Sequence, residues 1–194
     1  MSIDYKKEAP TESFATADTW EQWLADNHSK SDGIWLRIFN KESGEKTITY
    51  AEALDEALCY GWIDGQKKKF DSDSWIQKFT PRQARSIWSK RNIQHIERLT
   101  NENRMKAAGL KVFDDAKNDG RIAAAYDSPS NSTAPDDFLQ LLEKNKKAKA
   151  FFDSLNKANK YAITWRLQTT KKPETREKRM NSILEMLANG EKFH

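Results

Sequence analysis

Only one cysteine, Cys59, occurs in the 194 residues. That excludes an internal disulfide framework and fits a reducing compartment. No run approaches the roughly 18 apolar residues of a membrane-spanning helix, and the mean hydropathy is −0.91. The three histidines, His28, His95 and His194, stand far apart without ligand-spaced partners, so neither a metal site nor a cofactor is expected. No G-x-G-x-x-G or G-x-S-x-G turn occurs, and Gly44-Glu45-Lys46-Thr47 lacks the upstream glycine of a phosphate-cradling loop. Asp71-Ser72-Asp73 opens like a calcium loop, but Ile76 stands where glycine is required and Arg82 where glutamate is. The first residues hold no apolar stretch of signal-peptide length, which makes the cytoplasm the default location.

Aromatic residues and charge are plentiful. Aromatics make up 11% of the chain, seven of them tryptophan, enough to build a core although only 37% of residues are hydrophobic. The net charge of +4 hides an uneven layout. Residues 1–63 carry 6 basic and 12 acidic side chains, whereas residues 64–106 carry 11 and 5. An acidic first third thus precedes a basic middle segment.

Residues 1–13 read as a polar tail. A helix is predicted over Asp18–His28, with Asp18 and Glu21 at capping-box spacing. Ile34–Phe39 has strand composition, and Thr47–Tyr50 is expected to return as a second strand. Thr49 and Glu52 then cap a helix whose inner face is Leu54, Ala57 and Leu58, ended by Gly61. A hairpin follows, with Asp71–Ser74 between Gln66–Phe70 and Trp75–Phe79. Symmetric pairing puts Phe70 opposite Trp75. Phe70, Trp75 and Phe79 then share one face and Lys67, Lys69 and Lys78 the other. Helical spacing resumes at Ile93, Ile96, Leu99 and at Leu110, Phe113, Ala116. Residues 128–135, Ser-Pro-Ser-Asn-Ser-Thr-Ala-Pro, form an uncharged linker. Short helices fill 136–194. The pattern predicts an α+β domain over 14–127, built on a small antiparallel sheet with flanking helices, followed by a short all-α unit.

The densest chemistry lies between Lys67 and Asn92, where Lys67, Lys69, Lys78, Arg82, Arg85 and Lys90 alternate with aromatic rings. Cations neutralise phosphates and rings stack bases, so this run is a candidate anion patch with RNA or single-stranded nucleic acid among its partners. The competing reading is a core filled by the aromatics and a solvated lysine face. Cys59 lies in an apolar helical stretch and reads as a packed small hydrophobe. Asp64 serves equally as a functional carboxylate or as half of an Asp-Gly turn.

Cys59-Tyr60-Gly61-Trp62-Ile63-Asp64-Gly65, Phe79-Thr80-Pro81-Arg82 and Ser86-Ile87-Trp88-Ser89-Lys90-Arg91-Asn92 resemble the YdeI/OmpD-associated family of bacterial proteins. Arg104-Met105, Ala108-Gly109-Leu110 and Glu174–Arg179 extend the resemblance over roughly Phe14–Gly190. Asn103, where the family pattern has glycine, is one departure, with Ile122 and Thr170. The resemblance implies an N-terminal unit similar to the YjbR/CyaY-like fold and a helical bacteriocin-protection unit at the C-terminus. It supplies no catalytic residue, and its motifs offer Trp62, Asp64, Trp88 and Asn92 as pocket candidates. The reading is a cytoplasmic, non-enzymatic protein of bacterial stress and bacteriocin tolerance, with an anionic ligand or a protein as its partner. Nucleic-acid binding through 67–92 and an enzyme acting on an anionic substrate near Cys59 and Asp64 are the alternatives. A metal-binding variant would draw on the acidic first third.

Overall fold

A computed structural model describes residues 9–128 and 132–194. The chain divides into two compact units, Met1–Ser86 with Asn92–Ala123, and Ile87–Arg91 with Ala124–His194. The first unit holds a four-stranded mixed sheet in the order β1-β2-β4-β3. Its strands are β1 (Thr11–Ser13), β2 (Ile34–Phe39), β3 (Trp62–Lys69) and β4 (Ser74–Pro81). β1 runs parallel to β2, and the other pairs are antiparallel. The sheet is therefore not purely antiparallel. Thr11–Ser13, read as tail, take the edge position beside β2, whereas Thr47–Thr49 stay irregular and Tyr50 already begins a helix. Ile48 instead donates its backbone N–H to Phe14 O at 2.9 Å. Residues 1–8 of the tail and 129–131 of the linker lie outside the described residues.

Helices α1 (Ala17–Asn27) and α2 (Tyr50–Cys59) cover the face of the sheet that carries Ile34, Leu36, Ile38, Trp62 and Phe79. Trp20 and Leu24 of α1 are fully buried. The Trp20 ring lies 5.7 Å from Phe79 and the Trp23 ring 5.8 Å edge-on from Trp62. Two buried indoles find backbone partners: Trp20 Nε1 donates to Ala53 O and Trp62 Nε1 to His28 O, each at 3.1 Å. The capping box of α1 is Thr16 with Thr19, not Asp18 with Glu21, because Thr16 is the extended residue ahead of the first turn. The Thr49–Glu52 box of α2 is present. α3 (Lys90–Asn101) and α4 (Ala107–Asn118) follow, burying Ile96, Leu99 and Ala116.

The second unit packs α5 (Asp136–Lys144), α6 (Lys146–Ser154), α7 (Lys157–Gln168) and α8 (Pro173–Ala188). Their core is Phe138, Leu142, Ala148, Phe152, Leu155, Ile163, Leu167, Ile183 and Leu187. Asn145 and Asn156 cap α6 and α7 through their side-chain oxygens, and Pro173 occupies the first turn of α8, where its missing N–H is harmless. Ile87–Arg91, whose last two residues already belong to α3, join this unit. Ser89 bridges Tyr126 in parallel, and Lys90 Nζ lies 2.8 Å from Asp127.

Candidate anion sites in the two units

The hairpin differs from its expected register in a way that redistributes the lysines. Lys69 pairs with Trp75 and Lys67 with Gln77, a one-residue slip from the Phe70–Trp75 pairing. The turn explains the slip. Asp71 accepts from the Asp73 backbone at 3.0 Å, from Ser74 Oγ at 2.6 Å and from Arg37 Nη2 at 2.6 Å. This polar knot takes Phe70 out of the ladder and leaves it 49% exposed. A single-residue shift reverses the face of every side chain. Lys67 and Lys69 therefore share the face of Trp75 and Phe79, while Lys78 lies with Lys68 on the opposite face. A bulge between Asp64 and Lys67 restores the original parity, and Gln77 Nε2 donates to the Gly65 and Gln66 carbonyls there.

The predicted three-lysine face does not form. Lys67 Nζ sits 3.9 Å from the centre of the Trp75 ring, and Lys68 and Lys78 lie 4.7 and 5.6 Å from that of Trp35. β3 is also an edge strand, where consecutive lysines oppose pairing with another chain. Both roles are structural. Arg82 is buried, Arg85 is exposed, and Lys90 belongs to the second unit in its pair with Asp127. Lys67, Lys69 and Lys78 thus divide between the two faces of the sheet.

Trp62, Asp64 and Asn92 fall in the first unit and Trp88 in the second. Asp64 accepts a 2.7 Å hydrogen bond from Tyr50 Oη. Cys59 is fully buried, and burial pushes its thiol up to about 12, which suppresses the thiolate a nucleophile needs. The acidic first third and the basic middle segment meet inside the first unit. Glu21 pairs with Lys106 at 3.0 Å, Asp55 with Arg98 at 2.5 Å and with His95 at 2.8 Å, and Glu56 with Arg104 at 2.6 Å. Among the described residues no group of three His, Cys, Asp or Glu side chains could hold a metal ion.

A cleft that sequence reading missed lies between α7 and α8. Its volume is about 610 Å³, and Trp165, Arg166, Thr169, Thr175, Lys178, Arg179, Ser182, Ile183 and Phe193 line it. Three cations and three hydroxyls meet there without a carboxylate in the walls. Among the described residues Arg166, Lys178 and Arg179 enter no ion pair, whereas Arg176, one position from the cleft set on α8, is held by Asp137. Helical spacing sorts the two groups. Thr175, Lys178, Arg179 and Ser182 recur every three or four residues and so share a stripe of α8. The Glu174–Arg179 run contained this signal, but the face of α8 that meets α7 could not be chosen from it.

Residues 12–112 match the family model described as Domain of unknown function (DUF8412). The chain belongs to that family. Residues 131–190 match a second model, Bacteriocin-protection, YdeI or OmpD-Associated, the family that the motifs resemble. That match is confined to the C-terminal helices, so the motifs from Cys59 to Asn92 lie outside it. No curated protein and no solved structure matches the chain.

Proposed function

We propose that the protein is a cytoplasmic, non-enzymatic binding protein of bacterial stress tolerance, acting against bacteriocins and antimicrobial peptides through an anionic ligand held between α7 and α8. One observation carries the reading. Every residue lining the α7–α8 cleft except Phe193 falls within the stretch that matches the bacteriocin-protection model, and among the described residues the three cations there enter no ion pair. Arg166 and Arg179 are half-buried, and half-buried cations without counter-ions are costly unless a ligand supplies the charge. The suppressed thiol of Cys59 supports binding rather than nucleophilic catalysis. A similarity of the first unit to the YjbR/CyaY-like fold belongs to the same proposal and rests on a small sheet covered on one face by α1 and α2. The alternative of a nucleic-acid interface over residues 67–92 has weaker support, since its lysines divide between two faces and pack on tryptophans.

The test is survival of a strain lacking the protein under bacteriocin or cationic-peptide challenge. Complementation with the parent chain is expected to restore survival, and complementation with Lys178→Gln plus Arg166→Gln is not. Equal rescue by both chains, at equal protein levels, overturns the role of the cleft in tolerance.

A further inference from the structure

The α7–α8 cleft has more structure than a patch of positive charge. Arg179 donates through Nη1 to Arg166 O at 2.9 Å and to Thr170 Oγ1 at 2.6 Å. Arg166 donates through its own Nη1 to Ala162 O at 2.9 Å. Both guanidinium groups are thus anchored by neutral acceptors, and among the described residues their Nε and Nη2 make no hydrogen bond, which leaves them for an incoming anion. An anchored fork of donors matches the oxygens of a phosphate and loses little freedom on binding it. Thr175 and Ser182 add hydroxyls beside Lys178.

Aromatic surface completes the walls. The Arg166 guanidinium carbon stands 3.9 Å from the centre of the Phe193 ring, and Trp165 is held edge-on to Tyr126 at 6.3 Å. A lone phosphate would leave these rings and most of the 610 Å³ unused. That volume lies within the roughly 300–1,000 Å³ of ordinary small-molecule sites. A neutral ring would leave three cations uncompensated. A phosphate monoester, carrying a charge of about −1.5 to −2 at neutral pH, answers both halves when it also bears a flat ring.

We propose that the cleft binds a small phosphate monoester bearing a planar aromatic ring, of which a mononucleotide is the simplest example. The phosphate sits on Lys178, Arg179 and Arg166, and the ring packs on Phe193 or Trp165. This assignment rests on the anion-binding reading above and gives the ligand its chemical class.

Titration calorimetry on the full chain with adenosine 5′-monophosphate, ribose 5-phosphate and inorganic phosphate tests it, at low and high salt. The nucleotide is expected to bind most tightly and inorganic phosphate least, all three weakening with salt. Lys178 is exposed and holds no other element in place, so Lys178→Gln reports on binding without a folding cost. It is expected to weaken all three ligands by roughly tenfold, the scale of one charge-assisted bond. Phe193→Ala should weaken the nucleotide by a larger factor than inorganic phosphate. Absence of binding at low salt, equal affinity for nucleotide and inorganic phosphate, or indifference of the nucleotide to both variants overturns the assignment. So does an oligoribonucleotide that outcompetes the nucleotide and ignores Lys178→Gln. Nucleotide binding by this cleft, with full protection of cells by the Lys178→Gln chain, would overturn the tolerance reading alone. Loss of protection in that chain without nucleotide binding would overturn the ligand class alone.

Discussion

Gly109 shows how one residue can set a helix–helix approach. A Cβ at this position would stand 2.2 Å from the Cys59 carbonyl oxygen, a backbone atom that cannot swing aside. Gly109 therefore lets α4 lie directly on the C-terminal end of α2, and it helps to seal Cys59 inside. Gly109→Ala should force the two helices apart and cost about 1–3 kcal/mol. Cys59 supplies the readout. Its thiol is raised by burial first and by the nearby Glu56 charge second, so a thiol reagent should label the native parent very slowly at pH 8. Labelling should accelerate markedly in Gly109→Ala, and equal rates in the two proteins would refute the packing argument. Asn103 illustrates the opposite tolerance. It takes φ +57°, a left-handed conformation that asparagine accepts more readily than other side chains. The turn after α3 thereby forms without a glycine.

At the element scale, a charge contact joins α5 to α8. Arg176 in the second turn of α8 donates to Asp137 at the start of α5. This hydrogen bond, ahead of the coulombic attraction, holds the Asp137 carboxyl below its ordinary value of 3.8. A carboxyl lowered in the folded state adds stability above its unfolded value and loses it as the pH falls through 3.8 and below. The parent should therefore lose urea resistance more steeply than Asp137→Asn on acidification below about pH 4. Because the aspartate side chain is 49% exposed, solvent screening limits the difference to less than about 1 kcal/mol. Parallel acid profiles for the two proteins would show that the pair contributes nothing. The hairpin makes a related point about turns. Its four-residue loop, knotted by Asp71, outweighed the simpler pairing suggested by alternation alone.

Across the whole molecule, the chain leaves the first unit at Ile87 and re-enters it at Asn92. Trp88 is 1% exposed within that excursion. The backbones of Trp88 and Lys90 exchange hydrogen bonds with Tyr126 at 3.0 and 2.9 Å. Trp88→Ala is therefore expected to destabilise the second unit by about 3–5 kcal/mol. Amide exchange should quicken around Tyr126 and along α7, with the β2–β4 ladder keeping its protection. Equal loss of protection in both ladders and helices would mean that the two units unfold as one.

Local patterns in the sequence determined most elements. The β-branched and aromatic run at Ile34–Phe39, the Thr49–Glu52 box and the apolar spacing of the later helices each act within a few residues, and each appears where its pattern lies. The likeness of the C-terminal helices to the bacteriocin-protection model was also legible, from Glu174–Arg179. Three things needed the tertiary structure. Thr11–Ser13 became a strand only because β2 offered an unpaired edge, a partner more than twenty residues away. The lysine faces depended on a bulge and a one-residue slip, which alternation cannot foresee because neighbouring registers differ by a single turn contact. The cleft cations were visible as residues, yet their convergence came from the packing of α7 on α8, which brings two stripes together that sequence spacing describes only one at a time.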